Sequence, residues 1–306
     1  MEFKHVSVLA DEVIENLNIK SDGIYVDLTL GKGGHSKRIL EKLSEKGRLI
    51  GLDQDQDALN AAKENLKDFT NATFIKSNFE NIDQVLKDLG VDKIDGALMD
   101  IGVSSYQIDN GDRGFSYMND GPLDMRMDTA NELTAEKIIN EYPKEELVRI
   151  FSDFGEERFS KTIARKIIET RDLYHIDTTF KLRELIQGSV RSKEAHPEKR
   201  VFQALRIEVN RELEVLENTL EKVVDSLNID ARLCVISFHS LEDRIVKNKF
   251  KDLEKDCICP PSLPVCVCNH KAKIKIVNKK PITASKKELE ENSRSKSAKL
   301  RVCQRI

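Results

Sequence analysis

Val26-Asp27-Leu28-Thr29-Leu30-Gly31-Lys32-Gly33-Gly34-His35-Ser36 is an apolar run that breaks into closely spaced glycines and then takes up helical periodicity. A strand feeding a Gly-x-Gly-Gly turn lets the backbone pass close to a ligand. The helix start behind it offers N–H groups that have no partner within the helix. The stretch therefore reads as a nucleotide-type cofactor site. Asp53 follows Gly31 by 22 residues and closes a second apolar run, Arg48-Leu49-Ile50-Gly51-Leu52-Asp53. An acidic residue at the tip of the next strand is placed to accept hydrogen bonds from ribose hydroxyls. The third glycine of a dinucleotide fingerprint would fall at Ser36 and is missing. That favours an adenosine ligand without a pyrophosphate, S-adenosylmethionine, over NAD. With no ligand at all, the stretch would be an ordinary strand-to-helix turn.

Outward from this turn, residues 11–17 read as a helix ahead of the first strand. Ile39, Leu40 and Leu43 predict a helix behind the turn that ends at Gly47. Residues 48–53 form a second strand, 57–66 a helix, 72–76 a third strand, 82–89 a helix and 94–101 a fourth strand. Strands alternating with helices of this length imply a parallel sheet with crossover helices, whose ligand lies beyond the carboxyl ends of the strands. That rule gathers His35, Asp53, Phe79 and Asp100 into one crevice. Phe79 either edges the adenine or packs in the core, and Asp100 can face the cationic sulfonium of the cofactor.

Beyond Asp100 the alternation stops. Residues 100–128 have neither helical nor strand periodicity, and a loop of that length inside a compact domain points to function. Its aromatic, Met and Arg content argues against disorder. Residues 134–190 read as helices with no strand between them. In one of these, residues 156–171, Phe159, Ile163 and Ile167 share a face and Arg158, Lys161 and Arg165 form a stripe. Arg191, Lys193, Lys199 and Arg200 add charge nearby. Such a stripe can hold RNA phosphates or simply solvate a surface. A single long helix is predicted over residues 197–227, then a fifth strand over 231–238, with His239 at its end facing the crevice. Ser240 with Asp243 fits a helix capping box. Residues 271–277 and 298–305 complete a seven-stranded Rossmann-like α/β sheet whose final pair is antiparallel. The expected organisation is a discontinuous domain, 1–105 with 205–306, carrying an inserted loop and helical domain, 106–204.

The 306 residues are 39% hydrophobic and 34% charged, with a net charge of −3. No apolar run has membrane-spanning length, and Met1-Glu2-Phe3-Lys4-His5 lacks a signal-peptide pattern. The expectation is a cytoplasmic protein with no membrane partner and with reduced cysteines. Charge is unevenly spread: residues 1–155 carry 18 basic against 30 acidic side chains, whereas residues 244–306 carry 17 against 6. An acidic cofactor half joined to a basic tail suggests a polyanionic substrate, unless the lysines only solvate the surface. Cys257-x-Cys259 and Cys266-x-Cys268 could bind zinc as four thiols or form a reduced, metal-free loop, a cytosolic disulfide being the least favoured reading. Cys234 and Cys303 lie in strands and read as core residues.

Several long motifs occur in one order: residues 27–36; Asp100-Ile-Gly-Val-Ser-Ser105; Asp112-Arg-Gly-Phe-Ser116; Gly121-Pro-Leu-Asp-Met-Arg-Met-Asp128; Lys199-Arg-Val-Phe-Gln-Ala-Leu-Arg-Ile-Glu-Val-Asn210; and Ile236-Ser-Phe-His-Ser-Leu-Glu-Asp-Arg244. Together they closely resemble the small-subunit ribosomal RNA methyltransferase H family, also called RsmH or MraW. The resemblance implies a class I methyltransferase fold with a helical insert after the fourth strand. It also implies S-adenosylmethionine-dependent N4-methylation of a cytidine in the decoding centre of 16S rRNA. By motif, Gly33, Gly34, His35, Asp53, Phe79, Asp100 and Gln107 match the family's cofactor-binding positions; Gln107 rests on the resemblance alone. Many amino-methyltransferases place Pro-Pro and an aromatic after the acidic residue of the fourth strand. Ile-Gly-Val-Ser-Ser stands there instead, so the roles of that motif do not transfer.

For the chemistry, Asp100 is the expected acceptor of the amine proton, assisted by the Ile101 carbonyl and Ser104 or Ser105. Phe115 or Tyr117 is expected to stack on a flipped base, and Arg113, Arg126 and His239 complete the expected substrate contacts. The expected partner is 16S rRNA within the small subunit, with a homodimer admissible. The rival readings are an NAD-dependent oxidoreductase and a non-catalytic ribosome-binding module.

Overall fold

The computed structural model describes residues 7–190, 197–257, 259–260, 265, 267–268 and 270–306. The chain divides into two compact units, residues 1–102 with 213–306, and residues 103–212. These boundaries fall three residues before and eight residues after those expected from the sequence.

In the first unit the elements run α1 (Ala10–Leu17), β1 (Ile24–Asp27), α2 (Gly34–Leu40), β2 (Arg48–Asp53), α3 (Gln56–Asn65), β3 (Ala72–Lys76), α4 (Ile82–Asp88) and β4 (Ile94–Asp100). The chain then builds the second unit from α5 (Ser105–Asp109), α6 (Ala135–Glu141), α7 (Lys144–Asp153), α8 (Ser160–Arg171), α9 (Thr179–Ser189) and α10 (Glu198–Asn210). It returns through α11 (Glu212–Ser226), β5 (Leu227–Ser237), α12 (Ser240–Leu253), β6 (Ile274–Ile276), α13 (Lys286–Glu291) and β7 (Lys299–Arg305).

The seven strands lie in the order β3-β2-β1-β4-β5-β7-β6. The first five pair in parallel, and β7 runs antiparallel to both β5 and β6. Strands covered on both faces read as unbroken apolar runs, and their side chains then divide by period two. Val26, Ile50, Met99 and Val235 face one core with Leu216, Leu220, Val246 and Phe250 from α11 and α12. Tyr25, Leu49, Leu98 and Ile236 face the other, with Val13, Leu17, Ile39 and Leu59 from α1, α2 and α3. Cys234 and Cys303 are fully buried in these cores, and burial pushes both thiols well up.

The helix expected over 156–171 begins only at Ser160, Glu156 having φ +49°, and the strand expected over 271–277 is Ile274–Ile276. Four further departures each have a local reason. α2 stops at Leu40 rather than Gly47 because the chain tightens into 3-10 bonds, Lys42 N–H to the Ile39 carbonyl and Leu43 N–H to Leu40. Ser44 then ties back to the Ser21 carbonyl at 2.8 Å. The helix expected over 197–227 is two helices, broken at Arg211, whose φ is +51°. Asn210 is held at the break by donating to the Met125 carbonyl (2.9 Å) and accepting from Met127 N–H (2.8 Å). β5 begins at Leu227, four residues early, through an irregularity where Leu227 pairs with Ile94 and Arg232 with Gly96. The cap of α12 sits one residue earlier than Ser240: Glu242 accepts from the N–H groups of Phe238 (2.8 Å) and His239 (3.2 Å).

In the second unit the aperiodic loop is packed rather than loose. Phe115, Leu123, Met125 and Met127 enter one core with Phe151, Ile163, Ile167, Leu182 and Phe202 from the helices. Phe159 departs from the expected face and is 44% exposed. The loop closes on itself at Gly114, where φ is +70° and an added Cβ would sit 2.2 Å from the Pro122 carbonyl oxygen. Gly114→Ala is therefore expected to destabilise the protein by about 2–4 kcal/mol, because a left-handed conformation and a backbone clash add. The urea unfolding midpoint measures it, and a midpoint equal to wild type would refute the packing account.

Candidate functional site

Strand order reverses between β1 and β4, which is where a doubly wound sheet opens a crevice. The glycine turn leaves β1 at that point. Gly31 has φ +53° and Gly33 φ +81°, and a Cβ on Gly33 would meet Leu66 Cδ1 at 2.7 Å. Around Gly31, by contrast, an added Cβ meets nothing nearer than 4.0 Å, so the turn is open there. Asp53, ending β2, locks the turn: its Oδ2 accepts Gly31 N–H at 2.8 Å and its Oδ1 accepts Asp55 N–H at 2.9 Å. Burial, with the charges of Asp55 and Asp27 adding to it, outweighs these bonds and pushes the Asp53 carboxyl up to about 6.

Two residues not assigned by sequence hold the floor. Asp27 is buried, accepting Ser36 Oγ at 2.7 Å and Thr29 N–H at 3.2 Å. Its burial raises its carboxyl despite the Ser36 hydroxyl and the neighbouring His35 ring. Ser36 thus does polar work where a dinucleotide fold has glycine. The Thr29 hydroxyl accepts Asp100 N–H at 2.6 Å and so fixes the end of β4. Asp100 Oδ2 lies 3.6 Å from His35 Nε2. Asp100 Oδ1 and both ring nitrogens of His35 are buried without a hydrogen-bond partner. Orphaned polar atoms beside an open turn are what a polar ligand would satisfy.

The remaining candidates distribute as follows. Gly34 opens α2, where a Cβ would press on Ser7 Oγ. Phe79 begins a 3-10 turn after β3 and packs, half-buried, against the core. His239 follows β5 with its Nε2 2.9 Å from Glu242 Oε1. Ser104, Ser105 and Gln107 belong to the second unit, at the start of α5. There Ser104 Oγ accepts Gln107 N–H (3.2 Å) and Gln107 Oε1 accepts Ser104 N–H (2.9 Å). This capping box was legible as Ser-x-x-Gln.

Arg113 and Arg126, expected on the substrate, organise their own loop. Arg113 donates to the carbonyls of Arg126 and Met127 at 2.9 and 3.2 Å. Arg126 grips Asp124 through two bonds of 2.9 and 2.7 Å and donates to the carbonyls of Thr129 and Asn131. Burial opposes ionisation of Asp124, but Arg126 holds its carboxyl below the usual range. The Phe115 ring is 9% exposed in the core, and Tyr117 packs edge-on against Phe202 with centroids 5.8 Å apart. Phe115 is therefore a core residue of this unit, while Tyr117 is only partly buried. Of the expected stripe, Arg158 lies ahead of α8, which begins at Ser160; Arg158 and Lys161 are exposed, whereas Arg165 pairs with Glu169 at 3.8 Å. Arg191 and Lys193 lie outside the described residues.

The ligand must suit two acids. Asp53 and Asp100, which end β2 and β4, offer acceptors that suit a ribose diol and a sulfonium rather than a pyrophosphate, while Asp27 lies buried on Ser36 and Thr29. The residues present therefore fit S-adenosylmethionine and disfavour NAD, and fold and crevice together are those of a class I S-adenosylmethionine-dependent methyltransferase. Comparison with known proteins narrows the class: the chain belongs to the MraW methylase family, whose model it matches over residues 2–306. It is 59% identical over 309 residues to ribosomal RNA small subunit methyltransferase H of Clostridium botulinum strain Loch Maree, covering 100% of both chains. A protein of the same name from Lachnospira eligens is 55% identical over 311 residues, with 100% of this chain and 99% of that protein covered. No helix of the described residues is long and apolar enough to cross a membrane.

Proposed function

We propose that this methyltransferase acts on N4 of a cytidine in the decoding centre of 16S rRNA, within the small ribosomal subunit. The observation that carries this reading is the full-length, 59% identity to a protein named for that rRNA subunit. The crevice supports an amine acceptor: Asp100 ends in an oxygen with no partner, at the carboxyl end of β4.

Bound S-adenosylmethionine supplies a methyl group on a sulfonium, open to in-line displacement. Each Asp53 oxygen already accepts one backbone N–H and keeps lone pairs for the ribose hydroxyls. The glycine turn leaves the space beside Gly31 for the nucleoside. The exocyclic amine of cytosine is a weak nucleophile because its lone pair is delocalised into the ring. Asp100 accepts one of its N–H bonds, which aligns the nitrogen, and draws off the proton as the new N–C bond forms. The Ile101 carbonyl is a further acceptor beside it. Arg158 and Lys161 bind phosphate through charge alone.

The test is nucleoside mass spectrometry on 16S rRNA, free and in small subunits from a strain lacking the enzyme, after incubation with protein and S-adenosylmethionine. N4-methylcytidine in subunits is expected. Cofactor binding with no methylated nucleoside in either substrate would overturn the acceptor and leave the fold standing. Removing both Arg158 and Lys161 as alanines is expected to raise KM for RNA about tenfold and lower the salt slope by about two. Cofactor affinity should stay constant. An unchanged salt dependence would remove the stripe from the RNA surface.

A further inference from the structure

The connection between α12 and β6 carries chemistry that methyl transfer does not use. Its neck is closed by three hydrogen bonds. Lys273 N–H donates to the Leu253 carbonyl at 2.8 Å, Ile276 N–H to Glu254 Oε1 at 2.7 Å, and Ala272 N–H to Asp256 Oδ1 at 3.3 Å. Beyond the neck, the described residues contribute nothing to the cores, and Val265 and Val267 are 70% and 72% exposed. Yet the sulfurs of Cys257, Cys259 and Cys268 lie within 4.8 Å of one another.

Their geometry is that of metal ligands. Cys257 Sγ and Cys268 Sγ are 3.8 Å apart, far beyond the bond of about 2.05 Å in a disulfide. Two corners of a tetrahedron with zinc–sulfur bonds of about 2.3 Å are about 3.8 Å apart. Backbone N–H groups point at the sulfurs: Cys259 N–H at Cys257 Sγ and Val267 N–H at Cys259 Sγ, both 3.4 Å. Such donors stabilise thiolates and orient them, as outer-shell partners of metal ligands do. A short segment whose described residues join no apolar core gains order from a shared ion instead.

We propose that Cys257, Cys259 and Cys268 hold a structural zinc ion that closes this connection. Each coordinating thiol gives up its proton to solvent, and no electron changes hands. A fourth donor, water or a further side chain, completes the tetrahedron.

Metal analysis of full-length protein purified without chelator is expected to find about one zinc per chain. The Cys257→Ser/Cys268→Ser double variant should hold about a tenth of that or less. Because the cores lie elsewhere, that variant should keep wild-type circular dichroism and cofactor affinity. Cobalt(II) added to chelator-stripped wild type should give the intense visible absorption of a tetrahedral thiolate site, absent in the variant. Less than about a tenth of an equivalent of zinc with no cobalt absorption overturns the proposal. So does an equivalent of iron in place of zinc, or a disulfide between these cysteines in protein kept reduced.

Discussion

Asp100→Asn is expected to leave the enzyme folded and to cut kcat by about 10³-fold at saturating S-adenosylmethionine, the range of a lost general base. Asparagine keeps the size of the side chain, and the Asp100 N–H bond to Thr29 Oγ1 is a backbone bond that the substitution does not touch. What it loses is the negative charge and the ability to take a proton. His35, 3.6 Å away, cannot replace it from the other side of the same contact without repositioning its ring. The split between constants is diagnostic. A residue that only attracts the sulfonium would show its loss in KM for the cofactor, with kcat preserved when the cofactor saturates. A residue that takes the amine proton loses kcat itself, and a cytidine analogue with a more acidic amine should recover part of it. Steady-state kinetics with saturating cofactor make the measurement. A kcat within about threefold of wild type would remove Asp100 from the proton path.

Much of the crevice is legible in the sequence because the parallel sheet writes itself plainly. β2 at residues 48–53 sits where its apolar run puts it, since a strand covered on both faces needs unbroken apolar side chains, whereas β3 at 72–76 is a half-buried edge strand marked by its β-branched and aromatic residues. Asp53 and Asp100 could be placed because each closes such a run. The supports were not legible. Thr29, whose hydroxyl fixes Asp100, is one polar residue inside a motif and carries no periodicity. The break at Arg211 also hides from a periodicity argument, because one left-handed residue redirects the chain without disturbing the apolar spacing on either side. Arg113, Arg126, Phe115 and Tyr117 also carry a second role that their residue types did not announce. A loop without regular backbone bonding must satisfy its carbonyls and fill its core from its own side chains, and these four take part in that.

Cofactor affinity is expected to weaken below about pH 6 by close to tenfold per pH unit in the wild type, and to be flat with pH but about 10²-fold weaker in Asp53→Asn. The cause is the Asp53 carboxyl, which burial raises to about 6. Ribose hydroxyls donate to the ionised form, so the ligand binds the deprotonated protein and affinity rises as pH rises through that value. Charge-assisted bonds of about 1.5–3 kcal/mol are lost when the charge is removed, which sets the 10²-fold. Stability runs the other way. A carboxyl protonated more readily folded than unfolded stabilises the fold below the unfolded pKa of about 4, and that contribution is lost as pH rises through about 6. At pH 7 the ionised group therefore costs the ligand-free protein about 1–3 kcal/mol. Asparagine removes this cost but offers one acceptor where Asp53 uses two, for Gly31 and Asp55, so one backbone N–H loses its bond. The two changes oppose each other, and the unfolding free energy of Asp53→Asn should lie within about 1 kcal/mol of wild type. Calorimetric titration from pH 5 to pH 8, with thermal unfolding beside it, separates the two effects. A wild-type affinity that stays flat across that range would show that Asp53 does not carry the ribose.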